Sequence, residues 1–288
     1  MIIRSFCPGH ITGFFQIVEH EDPLRTGSRG AGACVALGAR CVLEATMGSG
    51  KVAVQLDGHE ESAPVTRDAV LGLRGSDRMD YTISIENELP IGQGFGMSAA
   101  GALAAALAAS TVLGLGRDDA IRAAHRAEIK NRTGMGDVAA LATGGVTFRI
   151  KEGIPPYGLV DRIDGDPEMV LCVVGKPIST AKTISDPEIR GRVNAVGSEC
   201  VMRMVESPSL PNLMRLSREF MQGTNLADPA VESAVKAVED AGGLASMAML
   251  GGSVFALGDV DRIAGALRPH GVVHETKVDV AGPRILTV

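Results

Sequence analysis

The chain has 288 residues, a length that favours two lobes over one small domain. Its 28 basic and 34 acidic side chains leave a net charge of −6, with two tyrosines and no tryptophan, which argues against a nucleic-acid partner. Apolar residues at 45% and charged residues at 22% are ordinary for a folded protein and argue against disorder. Cys7, Cys34, Cys41, Cys172 and Cys200 are odd in number and lack paired spacing, as expected of reduced thiols in a cytoplasmic protein. His270 and His274 come without the cysteine pair of a zinc site. No long apolar run precedes Gly9 and His10, so no signal peptide is expected. Residues 99–113 are apolar but mostly alanine, too short for a membrane span and suited to a buried helix.

Residues 1–18 read as a strand, a turn at Pro8-Gly9, and more extended chain. His10 and Thr12 follow that turn, either presented as polar side chains or bonded to local backbone. The glycine cluster 27–32 reads as a turn entering the apolar run 33–43, with Arg29 as its only hint of an anion. Alternation predicts strands over 51–56 and 81–85. Residues 89–101, Leu-Pro-Ile-Gly-Gln-Gly-Phe-Gly-Met-Ser-Ala-Ala-Gly, run into a helix over 98–113. Gly92, Gly94 and Gly96 free the backbone to approach a ligand, and Ser98 sits where the first-turn N–H groups point at an anion.

A helix opened by Asp118 and Asp119 carries Glu128 and ends near Asn131. Asp137 then reads either as a carboxylate held at a loop-to-helix junction or as the N-cap of a helix starting at Val138. Three prolines and three glycines over 151–167 mark a lobe boundary, giving an N-terminal lobe 1–160 and a C-terminal lobe 161–288. A strand over 169–174, helices near 187–205, 210–222 and 229–241, strands at 244–249 and 254–257, a helix over 260–267 and a last strand or hairpin follow. Strands and helices alternate without βαβ regularity, so the class is α+β or an irregular two-layer α/β.

The loop is not a Walker P-loop, because no lysine lies between Pro90 and Gly116. A dinucleotide fingerprint fits Gly94 to Ala99 in letters, but the strand does not enter the turn directly and no acidic residue follows at the required distance. The remaining pattern, Pro-x-Gly-x-Gly-x-Gly-x-Ser-Ala-Ala at 90–100, resembles the GHMP kinase superfamily, named after galactokinase, homoserine kinase, mevalonate kinase and phosphomevalonate kinase. Cys-Pro-Gly-His-Ile at 7–11 is similar to its first motif and Met249 to Leu257 to its third, so the resemblance spans the chain.

The resemblance implies an α+β, two-lobed GHMP-kinase-like fold, with a ribosomal-protein-S5-domain-2-like N-terminal lobe and a ferredoxin-like C-terminal lobe. It implies ATP bound by Pro90, Gly92, Gly94, Phe95, Gly96, Met97, Ser98 and Ala99, Mg2+ held by Ser98 and Glu128, and Asp137 as the catalytic aspartate. Transfer of a γ-phosphoryl group needs such a cradle, a metal and a carboxylate near the attacking hydroxyl. Two departures concern the acceptor: His10 stands where many members carry Lys or Arg, and the third motif has only Gly251 and Gly252.

Pro-Gly-His-Ile-Thr-Gly-Phe-Phe at 8–15, Gly-Ser-Arg-Gly-Ala-Gly at 27–32 and Asn-Arg-Thr-Gly-Met-Gly-Asp at 131–137 are most similar to the archaeal pantoate kinase family. Those enzymes convert (R)-pantoate to (R)-4-phosphopantoate with ATP in coenzyme A biosynthesis. His10, Thr12, Arg29, Gly251 and Gly252 are the expected acceptor-binding residues. Arg29 and His10 come first for the carboxylate, ahead of Lys182 and Arg132. The alternatives are a kinase of homoserine, mevalonate or shikimate, or a non-catalytic ATP-binding relative. The resemblance further implies a cytoplasmic homodimer, with no membrane or nucleic-acid partner.

Overall fold

The computed structural model describes residues 1–75, 78–178 and 180–287, the side chains of 180–182 and 287 excepted. Two long antiparallel strands, β1 (Ile2–Val18) and β2 (Gly27–Met47), form its spine. The turn expected at Pro8-Gly9 is instead a bulge within β1, with a second irregularity between Thr12 and Phe14. Pairing with β2 on both sides carries the strand through, which is how a bulge absorbs residues that would otherwise break it. The glycine cluster 27–32, expected as a turn, likewise lies inside β2.

Next come β3 (Val52–Leu56), β4 (His59–Glu60), α1 (Pro64–Leu71) and β5 (Met79–Asn87). β5 pairs antiparallel with β2 and parallel with β3. Helices α2 (Met97–Leu113), α3 (Arg117–Asn131) and α4 (Asp137–Thr143) precede β6 (Val146–Lys151) and β7 (Leu159–Ile163). β6 joins the first half of β2, leaving its second half to β5.

The second sheet contains β8 (Glu168–Val173), followed in sequence by α5 (Thr180–Ser185), α6 (Pro187–Glu206), α7 (Leu210–Thr224) and α8 (Pro229–Asp240). Then come β9 (Leu244–Met247), β10 (Ser253–Leu257), α9 (Val260–Leu267) and β11 (Val272–Lys277). The order is β11-β8-β10-β9, antiparallel throughout. The last strand, β12 (Arg284–Thr287), leaves that sheet and pairs with β1. The division expected at residue 160 falls inside β7, and β12 belongs to the first sheet although it ends the chain.

Helix α2 is the buried centre of the first layer, packed against α1, α3, β1 and β2. Alanine and glycine on every side permit this enclosure, so its composition reflects close packing rather than an apolar stripe. Gly114 ends it in the left-handed conformation. All five cysteines are buried and unpaired. Among the described residues no helix is long and apolar enough to cross a membrane.

Candidate active site

The loop between β5 and α2 has its three alternate glycines at φ of 78°, 80° and 63°, a region that other residues enter at a cost. A Cβ on Gly94 would stand 2.5 Å from the Ala248 carbonyl oxygen, so this glycine also lets the loop lie directly on the second sheet's connection. No side chain caps α2, leaving its first-turn N–H groups free for a ligand. The buried Gln93 bolts the loop down. Its Nε2 donates to the Gly175 carbonyl at 3.1 Å, and its Oε1 accepts from Gly252 N–H at 3.0 Å and the Ser253 hydroxyl at 3.2 Å.

A cavity of about 290 Å³ opens between this loop, the second half of β1, the α3–α4 connection and the Met249-Leu250 turn. Glu128, on the last turns of α3, is almost fully buried in its wall, and its Oε2 has no partner among the described residues. Burial, then the nearby charge of Asp137, pushes the Glu128 carboxyl well above its ordinary range. The α3–α4 connection comes close because it is glycine-rich. A Cβ on Gly134 would fall onto Glu128 Oε1, and one on Gly136 would strike the Ser28 hydroxyl and the Arg149 guanidinium.

Asp137 opens α4, with Gly136 in the cap position, so it is not the N-cap that the sequence left open. Its Oδ1 instead meets His10 Nδ1 at 2.7 Å, and about a quarter of the Asp137 side chain remains accessible. Burial acts to raise its pKa, but the hydrogen bond from His10 and the positive charge of Arg149 hold it below the ordinary aspartate value. Burial lowers the pKa of His10 despite Asp137, keeping the imidazole neutral at neutral pH. Neutral His10 facing an ionised carboxylate is assigned the Nδ1–H tautomer, which leaves Nε2 without a partner among the described residues.

Arg149, on β6, is 1% exposed and lines the same cavity. Its Nη2 donates to the Thr12 hydroxyl at 3.4 Å, whereas Nε and Nη1 have no partner among the described residues. Burial lowers its pKa and the carboxylates of Asp137 and Glu128 oppose that, so a guanidinium remains charged here. An unpaired buried cation is costly unless a ligand completes it. Across the cavity, Phe15, Ile17, Ile178, Ile184, Met249 and Leu250 supply an apolar wall.

Of the residues singled out in the sequence, Gly92, Gly94, Phe95, Gly96, Met97, Ser98, Ala99, Thr12, Glu128 and Asp137 line this one cavity. Pro90 is exposed and does not. His10 lies behind Asp137, fully buried, and does not line the cavity. Arg29 points away, donating to the Ile150 carbonyl and to Gln16. Ser28, its neighbour on β2, lines the cavity instead, because successive strand residues face opposite ways. Gly251 and Gly252 buttress the phosphate loop through Gln93 rather than lining the cavity. Arg132 ends α3 and is absent from the cavity wall, and the side chain of Lys182 lies outside the described residues. Sequence reasoning missed Arg149, Gln93 and Ser28; for Arg149 the available signal was a lone arginine inside the apolar run 146–150.

Residues 65–145, which contain the loop, α2, α3 and the Asp137 turn, match the model of the GHMP kinases N terminal domain. The pantoate kinase of Methanospirillum hungatei is 32% identical over 99% of this chain and 96% of its own length. That of Thermococcus kodakarensis is 32% identical over 89% of this chain and 88% of its own. A solved structure described as a phosphotransferase related to the CoA biosynthesis pathway superposes with a TM-score of 0.90 at 28% identity, covering 99% of this chain and 98% of that one. Its two-sheet arrangement is therefore the two-lobed GHMP kinase fold, and identity sustained over nearly the whole length shows that the chain belongs to the pantoate kinase family of the GHMP kinases.

Proposed function

We propose that this protein transfers the γ-phosphoryl group of ATP to the primary hydroxyl of (R)-pantoate, giving (R)-4-phosphopantoate for coenzyme A biosynthesis. The observation that carries the reading is the half-paired guanidinium of Arg149, buried in the same cavity as Asp137, Glu128 and the glycine loop. Pantoate has a carboxylate, two hydroxyls and a dimethyl carbon. Arg149 offers an N–H fork to the carboxylate. The apolar wall of Phe15, Ile17 and Ile184 suits the methyl groups. Arg149 thus replaces Arg29 and His10 as the carboxylate anchor.

The loop residues Gly92 to Ala99 cradle the ATP phosphates through backbone N–H groups. Ser98 and Glu128 fit a magnesium ion: they are hard oxygen donors, and Glu128 Oε2 is a buried acceptor with no partner among the described residues. Among the described residues no three His, Cys, Asp or Glu gather around one point, in keeping with a site completed by phosphate oxygens and water. A magnesium ion held by Ser98 and Glu128 would neutralise charge on the terminal phosphates. Asp137 takes the acceptor proton as the hydroxyl oxygen attacks the γ-phosphorus; the β–γ bridge breaks and ADP leaves.

The family likeness supports reading the protein as a cytoplasmic homodimer with an ATP-binding lobe over 1–160 and a second lobe over 161–288. The deciding experiment measures ADP release with ATP, Mg2+ and a panel of pantoate, homoserine, mevalonate and shikimate. Turnover with pantoate far above the others is expected. No turnover of any alcohol would overturn the kinase reading, and preference for another would overturn the acceptor.

A further inference from the structure

The geometry points to His10 as a positioning residue that ties the acceptor-activating carboxylate to the phosphate loop. It rests on the reading of Asp137 as the base. His10 is wholly buried and touches both halves of the site. Its ring holds Asp137 Oδ1 at 2.7 Å, while its backbone N–H donates to the Phe95 carbonyl at 2.9 Å. Gly96 packs against it so closely that a Cβ there would lie 3.1 to 3.3 Å from His10 backbone and Cβ atoms. One residue therefore fixes the distance between the phosphate-binding backbone and the carboxylate that must meet the attacking hydroxyl. Such pre-positioning matters because reacting groups have to be held within a few tenths of an ångström.

The groups around the ring define what it can do. Asp137 faces it from α4, and Arg149 from β6 acts on it electrostatically. Gly32 on β2 lies against the ring edge, where a Cβ would stand 2.9 Å from Nε2. Among the described residues Nε2 has no hydrogen-bond partner, so no protein group among them relays a proton onward from His10. Its part is to donate Nδ1–H to Oδ1 and to leave Asp137 Oδ2 for the acceptor. The proton lost by the attacking hydroxyl stays on Asp137 until solvent removes it. A lysine or arginine in this place would supply a charge beside the acceptor; the buried neutral ring supplies orientation.

The test combines kinetics with spectroscopy. His10→Ala is expected to lower kcat by about tenfold or more, with the KM for ATP and for pantoate within about threefold of the parent. His10→Asn, whose amide N–H stands near the place of Nδ1–H, is expected to recover most of that loss. In the parent protein labelled with 15N-histidine, His10 is expected as the neutral Nδ1–H tautomer, with a hydrogen-bonded proton signal that vanishes in Asp137→Ala. An Nε2–H tautomer, an unchanged kcat in His10→Ala, or an Asn variant as slow as the Ala variant would each overturn the role. Should His10→Ala fail to fold, the Asn variant and the spectrum decide. An active Asp137→Asn would instead overturn the base itself, which keeps the two failures apart.

Discussion

Gly134 lies so close to Glu128 that a Cβ on the glycine would clash with the carboxylate oxygen Oε1. The same Cβ would stand 3.1 Å from Asp137 Oδ2. The loop therefore brings main chain into the space between two carboxylates that a side chain would fill. Gly134→Ala is expected to raise the Mg2+ concentration needed for half-maximal activity and to lower turnover by about tenfold or more. Gly191→Ala is the control, since nothing lies within 4 Å of a Cβ at that exposed position of α6. It should leave kinetics unchanged and add about 0.5–1 kcal/mol of stability, read from denaturant unfolding.

Gln93 satisfies two groups of the second sheet's connections at once, the Gly252 N–H and the Gly175 carbonyl. Gln93→Ala leaves that buried N–H without its acceptor, at a cost of about 1–3 kcal/mol. Gln93→Glu keeps the acceptor for Gly252 but sets an oxygen against the Gly175 carbonyl. Both are expected to lower the melting temperature and raise the KM for ATP, because the loop loses its anchor. Unchanged values for both quantities would show that the glycines alone hold the loop in place.

How much of this was legible in sequence depends on how local the information is. The glycine loop and α2 were readable because three alternate glycines followed by small residues state a conformation and a packing mode within a dozen positions. Glu128 and Asp137 were found through resemblance, not periodicity. Pro8-Gly9 misled, since a local turn signal cannot show that β2 pairs along the whole of β1 and turns the break into a bulge. Arg29 misled through strand parity: the glycine cluster was read as a turn, so nothing assigned Ser28 to the cavity side and Arg29 to the opposite one. Gln93 and Arg149 owe their roles to segments distant in sequence, Gly175 and Gly252 for the first and Thr12 for the second.

Arg149→Lys keeps a positive charge between Asp137 and Glu128 but loses the planar fork. The KM for pantoate should rise about tenfold or more while the KM for ATP stays near the parent value. Arg149→Met should raise the KM for pantoate at least as far as the lysine variant does, because no cation is left for the carboxylate. Equal shifts in both KM values for the lysine variant would place the arginine on the nucleotide rather than the acceptor.

The two buried titratable groups His10 and Glu128 act on stability in opposite directions along the pH scale. Glu128 has a folded pKa raised by burial above its ordinary 4.5, so the folded protein holds that proton more tightly than the unfolded chain. Its contribution is fully present below about pH 4.5 and is lost as pH rises through the raised folded value. His10 has a folded pKa lowered by burial from 6.5, so the unfolded chain binds the proton more readily and stability falls as pH drops below about 6.5. Without nucleotide and metal, the melting temperature is therefore expected to decline on the alkaline side through the ionisation of Glu128. Glu128→Gln should flatten that decline, because the amide has no charge to bury. Mg2+ with a non-hydrolysable ATP analogue should raise the parent's melting temperature most at alkaline pH, where Glu128 is already ionised, and should do so far less in Glu128→Gln. An alkaline decline that persists unchanged in Glu128→Gln would assign it to another group and remove Glu128 from the metal site's proton balance.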